Sequence, residues 1–221
     1  MRTLIVNFKN YHQASGESAI ELARVVAASA EGKGVEAIVC PPLPMLGSVA
    51  SRIKIKVFSQ TVGYESGDMT TGAVTVDSVR LAGAGGTLLN HSECRTPFSK
   101  LKELLPRLRE SALEVCLCAK DSAEAARLSK LGPDYLAVEP PELIGSGIAV
   151  SKARPEVVSN TVKAARSAGY GGKILCGAGI VTGEDVKKAL ELGADGVLVA
   201  SSVVKAQDWK ERLSELTGSL I

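Results

Sequence analysis

Thr3-Leu-Ile-Val-Asn-Phe-Lys-Asn-Tyr11 opens the chain with a short apolar run that turns polar at Asn7 and Lys9. A run of this kind reads as a buried parallel strand. The residues just after it separate two parallel α/β architectures. A doubly wound open sheet carries a glycine-rich phosphate turn after its first strand. Here Asn-Phe-Lys-Asn-Tyr stands in that place, and no glycine comes before Gly16. The stretch therefore favours a closed barrel, in which polar residues at the strand ends converge on one mouth.

The rest of the chain repeats the theme. Strand-like runs rich in Val, Ile, Leu and Ala fall at 3–8, 35–40, 55–60, 86–90, 114–118, 135–139, 173–177 and 196–200. Helical periodicity fills most of the gaps, at 17–30, 97–110, 122–131, 155–168, 183–192 and 207–217. Ser122 and Thr182 each precede an acidic residue at short range, which suits a helix start. Gly132, Gly169 and Gly193 stand where helices should stop. The expected fold is a (β/α)8 barrel of eight parallel strands with outer helices, and the expected organisation is one catalytic domain over 1–221.

Composition sets the outer bounds. Hydrophobic residues make up 45% of the 221, ample for a large core, with aromatics at only 4%. A formal charge of +2, with basic and acidic residues interspersed, gives no reason to expect nucleic acid. Five cysteines form no CxxC pair, and Cys116 and Cys118 lie two apart on one expected strand, on the same face. Neighbours so placed do not bridge easily, so reduced core thiols are expected. No apolar stretch approaches the ~18 residues of a membrane span, and the apolar start is too short for a signal peptide. A cytoplasmic protein is the expectation.

The chemistry gathers at strand ends. Asn7 and Lys9 leave the first strand on one face, and a lysine in a barrel mouth calls for an anionic partner. Asn90-His91-Ser92-Glu93 comes at the end of the fourth strand and gives His91 hydrogen-bonding neighbours; His12, in a polar loop, is assigned no role. Glu139 ends an apolar strand, where desolvation should raise its pKa toward the working range of a base. Glu139-Pro-Pro-Glu-Leu-Ile-Gly-Ser-Gly147 has a stiff start and a glycine-freed end, the pattern of a lid. Cys176-Gly-Ala-Gly179 and Ala200-Ser201-Ser202 are small-residue turns whose backbone N–H groups can approach a phosphate. A carboxylate, an imidazole, an ammonium and a phosphate cradle suit proton transfer beside a carbonyl.

At these residues the chain resembles the triosephosphate isomerases, in their shorter archaeal form, with the motifs in family order over essentially the whole length. Asn7-Phe-Lys9, His91-Ser92-Glu93, and Glu139-Pro140 with Ile144-Gly145-Ser146-Gly147 match family motifs, and Cys118 matches a family cysteine on the fifth strand. The resemblance implies a TIM barrel that interconverts dihydroxyacetone phosphate and D-glyceraldehyde 3-phosphate, in glycolysis and gluconeogenesis, without metal or organic cofactor. It implies Glu139 as base, His91 as neutral electrophile, Lys9 as counter-charge, Asn7 placing substrate and lysine, and Glu93 in support. It assigns the substrate phosphate to Gly145, Gly179, Ala200 and Ser201, with Ile144 beside it in the lid. It also implies a homodimer or homotetramer, with the loop 64–75 reaching into a neighbouring subunit. The chain departs from the commoner pattern at Pro140-Pro141-Glu142, where a lid tryptophan is missing, at Gly179 in place of serine, and at Ala200-Ser201 in place of two glycines. Another sugar-phosphate barrel enzyme is disfavoured by the Asn-x-Lys and Asn-His-Ser-Glu combination. A noncatalytic phosphate-ligand sensor should have lost one of Lys9, His91 and Glu139.

Overall fold

The structure is a computed structural model that describes residues 1–67, 69–140 and 153–221. Residues 141–147 of the expected lid, Ile144 and Gly145 among them, lie outside the described residues. Strands β1 (Arg2–Asn7), β2 (Val35–Cys40), β3 (Lys56–Ser59), β4 (Gly86–Leu89), β5 (Glu114–Ala119), β6 (Tyr135–Val138), β7 (Lys173–Cys176) and β8 (Gly196–Val199) pair in sequence order. All pairs are parallel, and β8 closes on β1 with Val6 opposite Val199. The closing seam requires glycine at 196, because a Cβ there would lie 2.0 Å from the Thr3 carbonyl oxygen.

The two-residue period of each strand sorts its side chains. On β1, Leu4 and Val6 face outward into the layer shared with the helices, while Ile5 joins Ile38, Phe58, Leu88, Cys116 and Leu198 inside the barrel. Cys116 and Cys118 share that interior face, as their spacing predicts, and all five cysteines are free thiols. Outer helices α1 (Glu17–Ala30), α2 (Leu46–Arg52), α3 (Val76–Leu81), α4 (Phe98–Glu110), α5 (Ser122–Ser129), α6 (Pro155–Ser167), α7 (Gly183–Glu191), α8 (Ser201–Val204) and α9 (Trp209–Gly218) surround it. Each buries an apolar stripe; α4, for example, buries Leu101, Leu104, Leu105 and Leu108.

Three differences from the sequence reading have local causes. Phe8, Gln60, Asn90, Glu139, Gly177 and Ala200 are not part of the strands, because the chain turns into the mouth there. Helices α2 and α3, of 7 and 6 residues, are too short for periodicity to register. At α5 the cap is Asp121 rather than Ser122: its carboxylate accepts the Glu124 N–H at 2.7 Å. Thr182, by contrast, caps α7 in a full capping box with Asp185. No helix among the described residues is long and apolar enough to cross a membrane.

The end of the barrel away from these turns is closed by charge. Lys56 reaches Glu36 at 2.8 Å and Glu114 at 2.7 Å, and Lys173 reaches Glu36 and the Thr3 hydroxyl, each at 2.8 Å. The Tyr135 hydroxyl donates toward Glu36 at 3.0 Å and Glu114 at 3.2 Å. Burial alone would raise the Glu36 carboxyl, but the bonds from Lys173, Lys56, Thr3 and Tyr135 outweigh it and hold its pKa at about 2. Six strands, β1, β2, β3, β5, β6 and β7, thus meet in one ionic clasp.

Candidate active site

At the opposite mouth, each working side chain is aimed by the turn that ends its strand. After β1, Asn7 is buried and its Oδ1 accepts the Lys9 N–H at 2.9 Å. Lys9 itself sits at φ 47, a left-handed conformation costly for a side chain other than glycine. Gln60, just past β3, holds it there by donating Nε2 to the Lys9 carbonyl at 2.8 Å and to the Cys40 carbonyl at 3.1 Å. The Lys9 ammonium is mostly buried and pairs with Glu93 at 2.7 Å.

After β4, Asn90 is also left-handed, at φ 59, and turns the chain so that His91 lies buried in the mouth. The Glu93 N–H donates to His91 Nδ1 at 3.2 Å, which makes Nδ1 an acceptor and assigns the neutral ring's proton to Nε2. Burial and the nearby Lys9 charge, partly offset by Glu93, pull the His91 pKa down to about 4. The ring is therefore neutral at pH 7.

Glu139 comes directly after β6 and is 2% exposed. Its Oε1 lies 3.7 Å from His91 Nε2, and its Oε2 is buried without a hydrogen-bond partner among the described residues. Desolvation raises its pKa to about 7, against the Cys118 thiol hydrogen bond and the Lys9 and Arg95 charges, which lower it. Such a carboxyl is half protonated near neutrality, the condition of an effective base.

The last two turns supply room. A Cβ at Gly177 would lie 2.6 Å from Glu139 Cγ, so only glycine lets the carboxylate occupy its place. Gly179 is at φ 70, where a side chain would strain the backbone. Ser201 begins α8, whose first N–H groups have no partner within the helix. One cleft is lined by Lys9, His91, Glu139, Gly179, Ala200 and Ser201 together with neighbouring loop residues. A second, adjoining cleft is lined by Asn7, Lys9, Gln60, His91 and Glu93 among others. Of the candidate residues, those in the described part of the chain thus share one mouth.

The family profile described as triosephosphate isomerase matches residues 2–216. The chain belongs to the triosephosphate isomerase family. It is similar to the triosephosphate isomerase of Methanosarcina acetivorans, at 45% identity over 96% of both chains. It is also 45% identical to that of Archaeoglobus fulgidus, over 100% of this chain and 99% of the other. The Cenarchaeum symbiosum triosephosphate isomerase is likewise 45% identical, over 98% of this chain and 97% of its own length. As a triosephosphate isomerase family member, the chain is an isomerase on a TIM barrel.

Some contributors to the site carry no clear mark in the sequence. Gln60 reads as the last residue of the third strand, and Arg95 carries no sequence mark, since nothing local flags a side chain that binds a carbonyl across the barrel. Asn90 stands in the Asn-His-Ser-Glu motif, but its left-handed turn has no sequence mark beyond asparagine's tolerance of it. Gly177 reads as a backbone approach to ligand, whereas the nearest demand on it is the Glu139 side chain.

Proposed function

We propose that the protein interconverts dihydroxyacetone phosphate and D-glyceraldehyde 3-phosphate through an enediolate, with Glu139 as the base. The observation that carries the reading is the Glu139 carboxyl: buried, held near neutrality in pKa at about 7, unpaired at Oε2 among the described residues, and 3.7 Å from a neutral imidazole. Glu139 takes a proton from the carbon beside the carbonyl. The C–H electron pair becomes the carbon–carbon double bond, and the carbonyl oxygen takes up the negative charge. His91 donates its Nε2–H to that oxygen, and Lys9 offsets the charge from a mostly buried position. The neighbouring hydroxyl passes its proton through the His91 imidazole to that oxygen and becomes the new carbonyl, while the protonated Glu139 returns its proton to the carbon that first bore the carbonyl, so no atom is gained or lost.

The phosphate is assigned to the turns at Gly179, Ala200 and Ser201, with Ile144 and Gly145 completing the site from the lid. Asn7 supports this arrangement through the Lys9 backbone, and Glu93 through the ammonium and the His91 ring. Binding the nonreacting phosphate supplies free energy for lid closure, which removes water from the enediolate. The protein is further proposed to act as one domain in cytoplasmic glycolysis and gluconeogenesis, as a dimer or tetramer. Exposure of Tyr64 at 47% and Met69 at 100% in the loop 64–75 supports self-association through that loop.

The test is conversion of D-glyceraldehyde 3-phosphate by the purified protein beside Glu139→Gln. Turnover should fall at least ~10²–10⁴-fold while inorganic phosphate still binds. A folded wild type without turnover refutes the reading, and so does a glutamine variant that keeps its rate.

A further inference from the structure

His91 and Glu139 follow different strands, so their 3.7 Å separation must be set by something that touches both. Asn90 is placed to do so. It is 4% exposed and left-handed at φ 59, a conformation that glycine adopts without strain. The asparagine side chain is fully engaged instead. Its Nδ2 donates to the Cys118 carbonyl at 2.9 Å and toward Glu124 Oε1 at 3.4 Å, and its Oδ1 accepts the Thr96 N–H at 3.2 Å. Its own carbonyl accepts from Arg95 Nη1 at 3.1 Å, and Arg95 is held in turn by Glu124 at 3.1 Å. Glu124 is fixed by the Lys120 N–H at 2.8 Å, at the start of α5. The residue before His91 is thereby bolted to β5 and to the helix behind it.

The end of β5 is the common point. The Cys118 carbonyl receives Asn90, while the carbonyl of the next residue, Ala119, accepts the Glu139 N–H at 2.7 Å. Two successive buried carbonyls of β5 therefore hold the histidine-bearing turn and the backbone of the base. We propose that Asn90 is a positioning residue that, through the Cys118 carbonyl, sets where the His91 ring stands relative to the Glu139 carboxylate. The inference rests on the isomerase reading for its kinetic consequence, but the placement of the ring can be read without turnover.

Asn90→Gly is the informative change. Glycine accepts the left-handed turn, so the fold survives, and only the side-chain bonds are lost. Misplacing the ring by a fraction of an ångström should lower kcat about 10- to 100-fold, with KM within about twofold because substrate binding is untouched. Asn90→Asp should reproduce the loss. It tolerates the turn and keeps an acceptor for Thr96, but it has no donor for the Cys118 carbonyl. The second readout is the imidazole nitrogen spectrum of histidine-labelled protein. The chain has only two histidines, and exposed His12 serves as the internal reference. Wild-type His91 should show one neutral tautomer with the proton on Nε2. Asn90→Gly should show mixed tautomers as the Glu93 N–H to Nδ1 bond loosens.

A glycine or aspartate variant with kcat within about twofold of wild type overturns the proposal. A variant that loses rate with an unaltered His91 spectrum also overturns it, because the effect then lies elsewhere. If wild type itself shows no turnover, the isomerase reading fails, and the spectra alone decide: an unchanged ring in Asn90→Gly refutes positioning.

Discussion

Gly177→Ala tests how tightly the base is seated. A Cβ at this position would lie 2.6 Å from Glu139 Cγ, 3.2 Å from Oε1 and 3.2 Å from the Val138 carbonyl oxygen. Carbon atoms in ordinary contact stand about 3.5–4.0 Å apart, so the carboxylate stem must retreat by about 1 Å. The backbones cannot share that movement cheaply. The Gly177 N–H is bonded to the Val138 carbonyl at 2.9 Å, and the Glu139 N–H to the Ala119 carbonyl at 2.7 Å. The side chain therefore yields, away from the place where it now stands 3.7 Å from His91 Nε2. A 1 Å misplacement of a reacting group costs about 100-fold, or about 2.7 kcal/mol of transition-state stabilisation. Steady-state turnover of D-glyceraldehyde 3-phosphate, with circular dichroism to confirm the fold, measures it. The alanine variant should keep its secondary structure and lose about two decades of kcat/KM. A folded variant within about twofold of wild type would refute the steric argument.

The titrating groups set the remaining expectations. The kcat/KM profile should fall on the acid side through about pH 7 as Glu139 takes up its proton, with no limb from His91 until about 4; an acid limb near 4.5 would contradict the burial argument. Because the folded pKa of Glu139 lies above its unfolded value, its contribution to stability is full below 4.5 and is lost as pH rises through about 7. Glu139→Gln should therefore be more stable than wild type at pH 8, by up to about 3 kcal/mol, and nearly equal to it at pH 4, as read by denaturant unfolding at both pH values. Glu36 runs the other way: its depressed pKa gives stability present above 4.5 and lost as pH falls through about 2. Glu36→Ala should destabilise the protein at pH 7 on the order of 3 kcal/mol, since two lysines lose a partner, and the gap should narrow in acid. An equal gap at both pH values would show that packing, not charge, carries the effect.

The barrel was legible because each buried strand is a short apolar run with polar residues or glycine at its end, and parallel pairing leaves only that end for chemistry. Asn7, Lys9, His91 and Glu139 stood out for that reason. The hidden part depends on contacts between distant turns. Gln60 reaches a carbonyl 51 residues away in sequence, and Asn90 one that is 28 away; neither pairing leaves a local trace. The ionic clasp was hidden for another reason. Glu36, Lys56, Glu114 and Lys173 sit at or near strand beginnings, where isolated charges read as solvated ends of apolar runs. Only barrel closure brings them together.

The clasp also gives the molecule a particular response to heat. The free-energy cost of taking charges out of water shrinks as temperature rises, while apolar burial levels off. Lys56, Lys173, Glu36 and Glu114 already stand within 2.8 Å of their partners, so warming lowers their dehydration penalty without requiring any new contact. The end of the barrel remote from catalysis should hold its circumference at temperatures where its oily interior alone would begin to slacken.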